Sequence, residues 1–107
     1  MIKNLKLAID FDGVIHDFLH PIEGRKMGPP IINTKHHLDL LHSQGHTIIV
    51  FSVWGGTTQG RQTIQKFMQY YQLPYNEITN IKPNTDFFID DRAIHFTTWE
   101  DVIKQIQ

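Results

Sequence analysis

The sequence predicts a small α/β domain with a parallel sheet. Three observations carry this: short apolar runs alternate with amphipathic helical patterns, the runs are rich in β-branched residues, and acids or a hydroxyl stand where they end. Parallel strands need crossover connections, and right-handed crossovers bring all strand carboxyl ends to one edge, where an open sheet binds its ligands. At 107 residues there is room for one domain, spanning 1–107.

The first strand is expected over residues 5–10, where the run Leu7-Ala8-Ile9 gives way to Asp10-Phe11-Asp12-Gly13. Ile9 and Phe11 call for burial, while Asp10 and Asp12 call for water or a cation. Taken alone, Asp-x-Asp-Gly is equally a solvated turn. Gly13 comes too early for a calcium loop of the EF-hand type. The polar stretch Gly13 to Pro30, with Arg25 and Lys26, reads as a loop beside the strand end. Asn33 or Thr34 suits the cap of a first helix that runs to Ser43 and stops at Gly45.

Residues 46–52 form the next apolar run, ending in Ser52. Val53 to Thr58 reads as a loop, and Ile64, Phe67, Met68 and Tyr71 mark one face of a second helix from about Gln59 to Gln72, ended by Pro74. Glu77 to Ile81 is a short strand and Lys82-Pro83 breaks it. Phe87-Phe88-Ile89 then ends in Asp90-Asp91, repeating the pattern of the first strand. Ala93 to Phe96 reads as a last short strand, and Thr97 or Thr98 as the cap of a helix with Trp99, Val102, Ile103 and Ile106 on one face.

Composition narrows the function classes. A net charge of −1 gives no general attraction to nucleic acid, although nucleic-acid ends remain open as substrates. The lack of cysteine excludes disulfides, thiolate metal sites and a cysteine nucleophile. The start of the chain is neither a signal peptide nor a membrane span, so a cytoplasmic protein is expected. Seven histidines fit no complete zinc pattern; His16 and His20 are spaced to face one way if their loop is helical, and His16 with Asp17 stands near the acids as a substrate neighbour. The run 55–62 lacks the lysine and hydroxyl of a P-loop, since Arg61 and Gln62 stand in their place.

Four segments in order, Asp10-Phe11-Asp12-Gly13-Val14, Ile49-Val50-Phe51-Ser52, Lys82-Pro83 and Ile89-Asp90-Asp91-Arg92-Ala93, resemble the four motifs of the haloacid dehalogenase (HAD) superfamily of phosphohydrolases over nearly the whole chain. The resemblance implies a Rossmann-like three-layer fold, here without a cap domain, and a Mg2+-dependent phosphomonoester hydrolase acting through an aspartyl-phosphate. It implies Asp10 as nucleophile and Asp12 as general acid and then base, with Ser52 and Lys82 holding the phosphoryl group. Asp10, Asp12 (through its carbonyl), Asp90 and Asp91 would serve the metal. This division of labour is chemically apt, because an anionic ester approaching a carboxylate needs cations to offset repulsion.

Many relatives carry an arginine where Trp54 stands, and Arg61 or Arg25 are its candidate replacements. Gly13, Arg25, Lys26 and Trp54 are the expected substrate contacts. The expected partner is a small phosphorylated metabolite, a nucleotide monophosphate first, since the opening motif is similar to that of deoxyribonucleotidases. With no cap, the site is open unless a second copy of the chain covers it. Two other functions use the same residue types. A phospho-acceptor signalling receiver has its paired acids first and a lone acceptor in mid-chain, the reverse of the order here, and a Mg2+-binding interaction module would keep the acids without turnover.

Overall fold

The computed structural model describes residues 4–17 and 28–107. The chain runs β1 (Lys6–Asp10), α1 (Thr34–Ser43), β2 (Thr47–Phe51), a short 3-10 helix (Val53–Gly56), α2 (Thr58–Tyr70), β3 (Glu77–Thr79), β4 (Phe87–Ile89) and α3 (Trp99–Ile106). The four strands form one sheet in the order β3-β2-β1-β4, and every pairing is parallel. The expected α/β class with a small parallel sheet is therefore present, with β1 central and the two acid-ended strands side by side.

Alternation along each strand divides the core. Leu7 and Ile9 of β1 share a cluster with Ile48 and Val50 of β2, and Leu38 of α1 and Ile64, Phe67 and Met68 of α2 pack into it. Both helices thus cover the same face, as two successive right-handed crossovers in one direction require. Gly45, at φ 88°, lets the chain leave α1 for β2. His46, buried just after it, accepts a hydrogen bond at Nδ1 from the Leu5 backbone N–H at 3.1 Å, so this histidine is part of the framework.

The alternate strand positions make the opposite face of the sheet. The register sets Ala8 beside Ile49 and Phe88 there, yet α3 contributes no buried residue, and its Trp99 and Ile106 are 70% and 68% exposed. Thr98 caps α3 as expected, accepting from the Asp101 N–H. The strand expected over Ala93 to Phe96 does not form. Asp90 Oδ1 accepts the Arg92 and Ala93 N–H groups at 2.6 and 3.0 Å, and these bonds turn the chain as soon as β4 ends. β4 itself is an edge strand held through three residues of β1, with Asp86 fastening its start: the Asp86 carboxylate accepts the Lys6 N–H and the Asp86 N–H donates to the Lys6 carbonyl. Among the described residues no helix is long and apolar enough to cross a membrane.

The connection from β2 into α2 is tight. Thr57 Oγ1 caps α2 by accepting the Gly60 N–H, and a Cβ on Gly60 would stand 2.0 Å from the Trp54 carbonyl oxygen, a backbone atom that cannot swing aside. Gly60→Ala should therefore push the Val53–Gly56 turn outward and cost about 1–3 kcal/mol by overpacking, measurable as a lowered urea midpoint. An unchanged midpoint would show that the turn is free to move.

Candidate active site

The site follows from register. β1 and β4 pair Leu7 with Phe87, Ala8 with Phe88 and Ile9 with Ile89, so the next step sets Asp10 beside Asp90. Ligand oxygens of Asp10, Asp90 and Asp91 all lie within 4.8 Å of one another, a set of hard oxygen donors that could hold a divalent cation. Asp12 is not in that trio, although its charge reaches Asp10 and its side chain lines the same cleft. Asp10, Asp12, His16, Trp54, Asp90, Asp91 and Arg92 line this cleft of about 480 Å3.

The electrostatics of the trio are those of crowded acids. Burial, a hydrogen bond with Asp90 and the charges of Asp90, Asp91 and Asp12 together push the Asp10 carboxyl up to about 7. Asp90 moves the other way: the Arg92 N–H, the bond from Asp10 and the Ala93 N–H hold it below the usual carboxylate range. Without a cation and below about pH 7, Asp10 keeps its proton and donates it to an ionised Asp90. A bound cation would displace that proton, and this is the fit that the donor set offers to Mg2+.

Asp12 is held from two sides. Its Oδ1 lies 2.5 Å from His16 Nε2, and Ser52 Oγ donates to Oδ2 at 3.4 Å. Its side chain is 37% exposed, whereas that of His16 is 1% exposed. The loop between them is closed by the Phe11 carbonyl, which accepts the Ile15 and His16 N–H groups, and by the Gly13 N–H, which donates to the His16 carbonyl. Gly13 takes φ 84°, a left-handed turn that its lack of a Cβ allows.

Ser52 also caps the 3-10 turn, its Oγ accepting the Trp54 N–H at 3.2 Å, so one buried hydroxyl positions both Asp12 and the indole at the cleft mouth. Arg61 does not reach the acids. Its Nη2 donates to the Gly55 carbonyl and braces the same turn. Lys82 is exposed and is not among the residues that line the cleft; its Nζ lies 5.1 Å from the centroid of the Phe88 ring. Arg25 and Lys26 lie outside the described residues. One cleft residue had no role assigned from sequence: Arg92 lines the wall directly after the acid pair, which its position in the motif could have suggested. His16, expected near the acids, lines the cleft and pairs with Asp12, a bond that residue spacing did not show.

No family model, curated protein or solved structure matches the chain.

Proposed function

We propose that the chain is a Mg2+-dependent phosphomonoester hydrolase working through an aspartyl-phosphate at Asp10. The observation that carries this reading is the convergence of two acid-ended strands: ligand oxygens of Asp10, Asp90 and Asp91 lie within 4.8 Å of one another, with Asp12 fixed by hydrogen bonds in the same cleft. A bound Mg2+ would neutralise the trio and the incoming phosphoryl oxygens. Asp10, freed of its proton, attacks phosphorus; the P–O bond to the leaving group breaks and the leaving oxygen takes a proton from Asp12. Asp12, now a carboxylate, removes a proton from water as it attacks the phospho-Asp10, and inorganic phosphate departs. The cycle restores both aspartates.

The Trp54 ring at the cleft mouth and the Arg92 cation beside the acids suit a leaving group with a flat ring, so nucleotide monophosphates are the first substrates to assay, ahead of sugar phosphates. Phosphate release from a panel of these esters should occur with Mg2+, stop on chelation and return when Mg2+ is restored. Undiminished release in metal-free buffer would reject the site as drawn. A single phosphorylation without turnover would favour a receiver.

A further inference from the structure

A buried imidazole bonded to an acid in the cleft calls for an explanation. The His16 ring lies 4.6 Å from the Phe11 ring and 5.8 Å from the Phe67 ring of α2, between centroids, so it is set into the aromatic part of the core. Its Nδ1 is buried and has no hydrogen-bond partner among the described residues. That asymmetry decides the tautomer. A proton on Nδ1 would be a buried donor with no acceptor, whereas a proton on Nε2 points at Asp12 Oδ1, which accepts it whether or not Oδ2 carries the proton that Asp12 gives up as an acid. The ring therefore carries its hydrogen on Nε2 and donates to Asp12 Oδ1.

Backbone bonds fix the imidazole from both sides. The His16 N–H and carbonyl are engaged by Phe11 and Gly13, the Asp17 N–H donates to the Pro29 carbonyl, and the Ile31 N–H to the Ile15 carbonyl. With Oδ1 occupied, Oδ2 is the Asp12 oxygen left on the Ser52 side, where the serine hydroxyl sets its direction. A carboxylate on a short, exposed side chain has two equivalent oxygens and free rotamers; here one oxygen is taken and the rotamer is set.

We propose that His16 is the positioning residue for Asp12, holding Oδ1 so that Oδ2 alone exchanges the proton with the leaving group and with water. The proposal rests on the hydrolase reading above. Asp12 does its first work only at leaving-group departure, so loss of its alignment matters most where the leaving oxygen needs a proton. His16→Phe keeps a flat ring and removes the donor. kcat/KM reports steps up to leaving-group departure, and for an alkyl phosphate it should fall on the order of a hundredfold in His16→Phe, against less than about tenfold for a dinitrophenyl phosphate. His16→Gln, which offers an amide donor, should recover part of the alkyl-phosphate loss. A structural role alone would lower both substrates together, so equal losses on both, or no loss on either, would overturn the proposal.

A second measurement needs neither variant to fold. In the wild-type protein, 15N-labelled at histidine, His16 should show a protonated, hydrogen-bonded Nε2 and a bare Nδ1, and Asp12→Asn should move the Nε2–H resonance. A proton found on Nδ1 instead would overturn the proposal. If the wild-type protein with Mg2+ hydrolyses neither ester, it is the hydrolase reading that falls, and the nitrogen spectrum still reports whether the His16–Asp12 bond exists.

Discussion

Asp10→Asn should abolish phosphate release, by roughly 10^4-fold or more, and at the same time stabilise the metal-free protein at pH 8. The first effect follows from replacing the attacking oxygen of the proposed nucleophile with an amide. The second follows from the crowding around it. Because the Asp10 carboxyl is raised from 3.8 to about 7, chiefly by burial and then by Asp90, the folded state holds its proton more tightly than the unfolded chain does. Its contribution to stability is complete below about pH 3.8 and is lost as pH rises through 7. Asp90, lowered by its backbone donors, has the opposite sign: its contribution is present above the unfolded value and is lost as pH falls through the folded one. At pH 8 the metal-free wild-type protein carries an ionised Asp10 against its acidic neighbours, and the amide removes that repulsion. The urea midpoint of the variant should exceed that of the wild type at pH 8, with the gap closing toward pH 5. Mg2+ should raise the wild-type midpoint at pH 8 and have much less effect on the variant. A gap that does not change between the two pH values would contradict the crowding.

Phe11→Ala should have the largest effect on stability. Phe11 is fully buried immediately between the two acids, its ring 5.1 Å from Phe67 edge to face and 4.6 Å from His16. Removing a buried phenyl ring costs about 3–5 kcal/mol, a large share of the roughly 5–15 kcal/mol that holds a domain together. The cavity opens directly under His16, so Asp12 loses its support as the core loosens. Urea unfolding should show a midpoint shifted far toward zero denaturant, and Phe11→Leu, which refills most of the volume, should recover most of the loss. Near-wild-type stability in Phe11→Ala would mean that the sheet and α2 can close over the gap.

Much of this architecture could be read along the chain because it is local. An apolar run ended by acids says where a strand stops and which residues meet water, and Asp10, Asp90 and Asp91 came together as their positions at strand ends suggested. Asn33 marked the start of α1 for a different reason from the one its type suggests. It sits at φ 68° and makes no side-chain cap, so it serves as a left-handed turn before the helix. Side-chain direction was not legible. Lys82 follows a strand end, yet its ammonium lies over the Phe88 ring, and Arg61, on the first turns of α2, folds back to its own loop. The His16–Asp12 bond depends on how tightly the chain closes between Phe11 and His16, a property of backbone turns and core packing that residue spacing does not record. The short apolar stretch Ala93 to Phe96 reads as a strand, but the carboxylate of Asp90 takes the backbone donors of Arg92 and Ala93 where this stretch begins.

The edge position of β4 has a consequence for what a cation would do. Two of the three clustered carboxylates belong to the end of a strand that is paired on one side only and anchored at its start by Asp86, while the third belongs to the central strand. An ion shared among them would act as a rivet through the open margin of the sheet, closing at the far end the seam that Asp86 closes at the near end. Occupancy of the site and integrity of that margin are then one equilibrium, because an edge strand paired on one side only is also the strand that completes the acidic cluster.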